Sequence, residues 1–170
     1  MILLTVLTTA VWLFTTAEAA PTASCADPNF PDRVEGATDV SLPEGAYYLD
    51  RDALIRNGRT LTIAAGSNII ICGDYQIRIN GEGNLRALGT AAKPITFERE
   101  TAGAEWAGLV FDGTQGNQSL LRYVTINSAG SGANTIDAAV EISPIGANAS
   151  ASPVFDHVTI NDSPNYGLYI

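Results

Sequence analysis

From Tyr47 onward, apolar residues come in short bursts, two residues apart, with Gly, Asn and Ser between them. YYL spans 47–49, ALI 53–55, TLTI 60–63, NIIIC 68–72 and QIRI 76–79. Period-2 alternation bounded by turn formers predicts strands, and no span keeps helical spacing long enough for a helix of ordinary length. Asn57-Gly58 marks a tight turn, and Gly66, Gly73 and Gly81 close the next three strands. Ile63, Ile71 and Ile79 recur eight residues apart. Three strands at that spacing make a coil of about 24 residues, within the range of solenoid repeats.

Further along, the strands repeat as types. LLRYVTIN starts at Leu120 and VFDHVTIN at Val154, 34 residues later, and PITF, ending at Phe97, precedes the pair. A second series, AGLVF, AAVEI and YGLYI, ends at Phe111, Ile142 and Ile170 and interleaves with the first. A chain that revisits each strand type once per turn is a coil whose strands pair in parallel. The alternation then predicts inward columns of Phe97, Ile126, Ile160 and of Ile95, Val124, Val158. Leu109, Val140, Leu168 and Phe111, Ile142, Ile170 form the inward columns of the other series. Thr96, Thr125 and Thr159 face outward, as do Val110, Glu141 and Tyr169. The three threonines form one column, which is ordinary β-propensity and not the paired rows of a lattice-binding face.

The runs GNLRALGTAAKPITF (83–97), EWAGLVFDG (105–113) and SLLRYVTI (119–126) resemble the opening coils of secreted right-handed parallel β-helix repeat proteins. The shared elements are Gly-Thr, Pro-Ile-Thr-Phe, Trp-x-Gly (Trp106 to Gly108) and Tyr-Val-Thr-Ile. The resemblance covers about Thr60 to Ile170 and implies a right-handed parallel β-helix of about four coils. It implies no catalytic residue, because that fold carries lyases, hydrolases, adhesins and proteins of other roles.

Residues 1–19 read as a signal peptide, apolar through Phe14 and closed by the small-residue pattern Ala17-Glu18-Ala19 before Ala20. No later stretch is long enough to cross a bilayer. Residues 20–46, rich in Pro, Asp and Gly, read as an irregular arm, and 47–170 as the β-helix domain, with Tyr47 to Ile55 covering its N-terminal strand edge. The chain stops at Ile170 inside an expected strand. That predicts an edge continued by further coils of a longer protein or by a partner.

Cys25 and Cys72 are the only cysteines, and an even pair in an exported chain predicts one disulfide. Two alternatives stand beside it: a buried thiol at Cys72, and lipid attachment at Cys25, which follows Thr22-Ala23-Ser24. Sequons occur at Asn117, Asn148 and Asn161. Eighteen acids against nine bases give a net charge of -9. Such a balance argues against a nucleic-acid partner and leaves calcium as a conceivable ligand, although no Cys and His spacing suggests a metal site.

Chemistry is sparse. Asp112 and Glu141 come nearest to a glycosidase pair, facing outward from neighbouring coils and offset by two positions, which sets their β-carbons about 7 Å apart. The competing reading makes Asp112 a turn residue and Glu141 a solvated strand residue. Lys93 and Arg122 are the bases a lyase would need, and Arg122 also matches Asp156 in the next repeat as a structural ion pair. His157, the lone histidine, has no nucleophile beside it and reads as a surface residue. Trp106, Tyr123 and Tyr169 are candidate platforms for sugar rings, or equally covers for the coil corners. Taken together the sequence predicts an exported structural or binding module directed at carbohydrate or a cell-surface component. The alternative is a polysaccharide lyase or glycoside hydrolase whose active site lies partly on further coils.

Overall fold

The computed structural model describes residues 23–112, 118–132, 137–143 and 151–170. The expected signal segment 1–19 and the sequons at Asn117 and Asn148 lie outside them. Fourteen strands and no helix are found among the described residues. In chain order they are β1 (Arg33–Val34), β2 (Val40–Leu42), β3 (Ala46–Leu49), β4 (Ala53–Ile55), β5 (Thr60–Ala64), β6 (Asn68–Ile71) and β7 (Gln76–Ile79). There follow β8 (Asn84–Leu88), β9 (Ile95–Arg99), β10 (Gly108–Phe111), β11 (Leu120–Asn127), β12 (Ala138–Ile142), β13 (Val154–Asn161) and β14 (Tyr166–Tyr169).

Every strand pairing is parallel, and each strand bonds to its counterpart one turn later. One sheet runs β1-β4-β7-β10-β12-β14, and the remaining strands form a second sheet that bends around the other sides of the coil. The fold is a parallel β-helix. Its apolar columns stack as the alternation requires: Phe97 opposite Ile126 opposite Ile160, Ile95 opposite Val124 opposite Val158, and Leu109 opposite Val140 opposite Leu168. Ile63, Ile71, Ile79, Leu85, Phe97 and Ile126 have no exposed surface. At roughly 1.5 to 3 kcal/mol for each buried Leu, Ile or Phe, this continuous interior is the main stabilising term.

Two local features mark the later coils. In the first three coils, separate strands (β5 then β6, β8 then β9) are joined by a turn. In β11 and β13 a single left-handed residue, Tyr123 (φ 47°) and then His157 (φ 57°), makes the bend, so one long strand serves both sides of the coil. Non-glycine residues seldom adopt that conformation, so both rings are set by the coil geometry. Gly108 (φ 113°) opens β10, where a β-carbon would stand 2.6 Å from the Ala139 carbonyl oxygen of the next coil, and only glycine fits that approach.

The coil begins earlier and counts higher than the sequence reading. The described strands trace five successive coils and β14 opens another, where about four were expected. Residues 33–46, expected as irregular arm, supply β1, β2 and the start of β3. Strands of two and three residues set among Pro and Asp carry no readable period. The N-terminal edge is covered by residues 25–30, not by Tyr47 to Ile55. Asn29 accepts from Tyr48 N and donates to the Ala46 carbonyl, Phe30 N donates to the Tyr48 carbonyl, and the Phe30 side chain is buried. Cys25 and Cys72 form the expected disulfide, Cα to Cα 5.5 Å, tying that cover to the second coil. With its sulfur in that bond, Cys25 is not a lipid-attachment site, and Cys72 is not a free thiol. No helix of the described residues is long and apolar enough to cross a membrane.

Candidate functional site

The outward face of the β1-β4-β7-β10-β12-β14 sheet carries the chemistry. Arg33, Leu54, Arg78, Val110, Glu141 and Tyr169 are successive partners in register and form one outward column along the helix axis. Adjacent strands lie about 4.8 Å apart, so each neighbour in the column is in side-chain reach of the next. Over β1, β4 and β7 this face is a groove of about 690 Å³, of the size that holds a small ligand or a stretch of polymer.

Its walls come from strand-edge positions. Asp32, Asp52 and Asp74 each precede a strand of the sheet, and Arg33, Arg51 and Arg78 interleave with them. The arginines are engaged: Arg33 with Glu35 at 3.2 Å, Arg51 with Asp50 at 2.9 Å, Arg78 with Asp112 at 2.7 Å. Asp52 Oδ1 accepts from Gln76 N (3.0 Å), and Asp74 Oδ1 accepts from the Ser131 hydroxyl (2.6 Å). Tyr75 lines the groove and packs partly on the core. Gly73 makes its seat, because a β-carbon there would stand 2.4 Å from Tyr75 Cε2.

Arg78 is the junction between this groove and the two predicted acids. Glu141 and Asp112 are indeed offset by two positions on neighbouring strands, since Val110 pairs with Glu141 and Phe111 with Ile142. Neither is solvated as a surface acid would be: Asp112 is 6% exposed and Glu141 7%. Burial pushes both carboxyls above their ordinary values. The Arg78 charge pulls each down, and Glu141 is further lowered by a hydrogen bond to Ser143 and raised by the charge of Asp112. Asp112 Oδ1 is buried without a hydrogen-bond partner. The arrangement is a carboxyl–guanidinium–carboxyl cluster in which both acids are buried and Arg78 opens onto the groove. The solvated reading of Glu141 fails because β10 and β12 are covered on both faces, Val110 and Ala139 included.

Other predicted site residues scatter. Trp106 has no exposed surface. It stacks on Phe97 with ring centres 6.4 Å apart, and its Nε1 donates to the Asn127 carbonyl at 2.8 Å, so it is a core residue and not a sugar platform. Tyr123 stacks on His157 at 4.4 Å on a different corner, beside a smaller groove that includes Thr125 and Thr159. Tyr169 stands opposite Glu141 at the last strand, 43% exposed. No one site joins the three aromatics. Lys93 is held by Glu44, with Nζ to its two oxygens at 3.0 and 2.7 Å.

The Arg122 and Asp156 pair is a correction. The two are in register, but Asp156 turns to the His157 ring (Oδ1 to Nδ1 2.6 Å), and no ion pair joins it to Arg122. The left-handed bend at His157 carries the imidazole toward its neighbouring carboxylate and away from the strand direction. Asn161, the sequon within the described residues, is exposed and donates to Asn127 Oδ1 at 3.0 Å. No group of three or more His, Cys, Asp or Glu side chains that could hold a metal occurs among the described residues.

Sequence reasoning missed the groove. A signal for it was present, since Asp32, Asp52 and Asp74 recur about once per coil of about 24 residues. Each sits just outside a strand, where no alternation marks it. Comparison with protein-family models, with curated proteins and with solved structures finds no match to this chain.

Proposed function

We propose that the chain is an exported parallel β-helix module that binds a glycan along the outward face of its first three coils. The observation that carries the reading is a contrast on one sheet face. The open groove over β1, β4 and β7 holds Tyr75 among planar polar side chains, whereas the two acids that hydrolysis would need are buried. Planar hydrogen-bonding groups beside an aromatic ring suit the hydroxyl edges and apolar faces of sugars. Export is supported by the leader-like first 19 residues and by the Cys25–Cys72 disulfide, which belongs to an oxidising compartment. A pull-down on insoluble polysaccharides, run with a screen for released reducing ends and unsaturated sugars, tests it. Retention without release is the expected result; no retention on any polysaccharide overturns it.

A second reading has one specific observation behind it. Asp112 and Glu141 have raised carboxyls around a shared arginine, and one oxygen of Asp112 lacks a partner, features of acid catalysts in glycosidases. Sugar release abolished by Asp112→Ala or Glu141→Ala would favour this reading.

A further inference from the structure

We infer that the groove over the first three coils accepts a neutral, hydroxyl-rich glycan and rejects a carboxylated one. The inference rests on the glycan-binding reading and narrows it. Three arginines beside a sugar-sized groove would ordinarily suggest recognition of an acidic polymer, since guanidinium pairs well with carboxylate. Here that capacity is spent within the protein. Arg33, Arg51 and Arg78 already hold Glu35, Asp50 and Asp112. Glu35 is shared with Arg56, and Arg51 lies 3.8 Å from Asp32 as well, so the groove carboxylates left without a cation among the described residues are those of Asp52 and Asp74.

An acidic chain would therefore meet uncompensated negative charge, on a protein whose net charge is already -9. A sugar hydroxyl meets the opposite situation. It donates a proton, and carboxylate acceptors give the shorter, stronger class of hydrogen bond. Tyr75 supplies the apolar contact, its ring held in place by the missing side chain at Gly73. A pyranose face carries C–H groups suited to an aromatic surface, and its hydroxyls reach outward to donate to the acids.

The test is native gel electrophoresis of the full chain through gels containing a soluble glucan, a soluble mannan, a soluble xylan or polygalacturonate, at low and at moderate salt. Retardation by at least one neutral polymer, insensitive to salt, with none by polygalacturonate, is expected. Tyr75→Ala should weaken the neutral interaction about tenfold and Tyr75→Phe should preserve it. Asp52→Asn with Asp74→Asn should weaken it several-fold while leaving the thermal midpoint within a few degrees. A melting curve on each variant separates lost binding from lost folding. Retardation by polygalacturonate in preference to the neutral polymers, relieved by salt and strengthened by the double Asn variant, overturns this inference and leaves glycan binding standing. Retardation by none of the four overturns both.

Discussion

One sheet face behaves differently over its first three strands and over the next two. Over β1, β4 and β7 it is wet: Arg33 and Arg51 are more than half exposed, and their carboxylate partners are held below the ordinary carboxylate range, Glu35 by Arg56 and Asp50 by Arg51. Over β10 and β12 the column is dry: Val110 and Glu141 are buried, and Glu141 and Asp112 are pushed up by burial. The same residue types thus give opposite titration behaviour. Solvent access, and not the presence of an arginine, decides the sign, because both stretches have one. A face can therefore offer hydrogen-bonding acids to a ligand in one half and keep similar acids out of reach in the other.

The largest effect should come from removing the staple that supports the wet half. Reducing the Cys25–Cys72 bond, or replacing both cysteines with serine, frees a segment of 47 residues and should cost about 4 kcal/mol by the loop-entropy relation. The loss should be uneven. Hydrogen exchange is expected to speed up in β1 to β3, where Phe30 and Asn29 cover the edge, and to change little in β11 and β13. Equal loss of protection along the whole coil would show that the two halves open as one unit.

Next in size is Arg78, where the halves meet. Arg78→Ala strands Asp112 and Glu141 without their shared cation, and breaking a buried pair in this way costs about 3 kcal/mol at neutral pH. The pH dependence identifies the cause. For both acids the folded value lies above the ordinary 3.8 and 4.5, so between those values and the raised ones the folded state binds more protons than the unfolded state. Stability from this pair therefore falls as pH climbs through that window and is recovered on acidification toward 4.5. Glu35 and Asp50 run the other way, losing their contribution as pH drops below 4.5 and 3.8. Chemical denaturation of Arg78→Ala at pH 7 and pH 4.5 should show a smaller deficit at the lower pH, and Asp112→Asn should shrink the deficit at pH 7. A deficit identical at both values would mean that Arg78 acts through packing alone.

How much of this could be read beforehand follows the same division. The inward columns of Phe97, Ile126 and Ile160 were legible because period-2 alternation and a repeated VTI fix both the face and the register. The offset of Asp112 from Glu141 followed from that register as well. Their burial did not, since AAVEI alternates no more clearly than a half-exposed strand and nothing local says that both faces are covered. The first coil was illegible for another reason. RV and VSL are too short to display a period, and they hold their place through bonds to β4 and β5 of the next coil, which are long-range facts. Trp106 shows the limit of residue type. A Trp before Gly suits a corner cover or a sugar platform equally, and only the Phe97 ring and the Asn127 carbonyl decide between them.

The smallest effect concerns the corner that the late coils have and the early ones lack. Tyr123 and His157 both bend the chain with positive φ, and their rings stack at 4.4 Å and an angle of 20°. Stacking of this kind contributes about 0.5 to 1.5 kcal/mol beyond area burial. Tyr123→Ala should therefore cost about 1 kcal/mol in urea unfolding. Tyr123→Gly removes the same ring but relieves the left-handed backbone, so it should cost less than the alanine variant even though glycine is ordinarily the more flexible and less stabilising residue. If glycine proves worse than alanine at this position, the bend is not strained, and the single-residue corner owes its place to the ring stack alone.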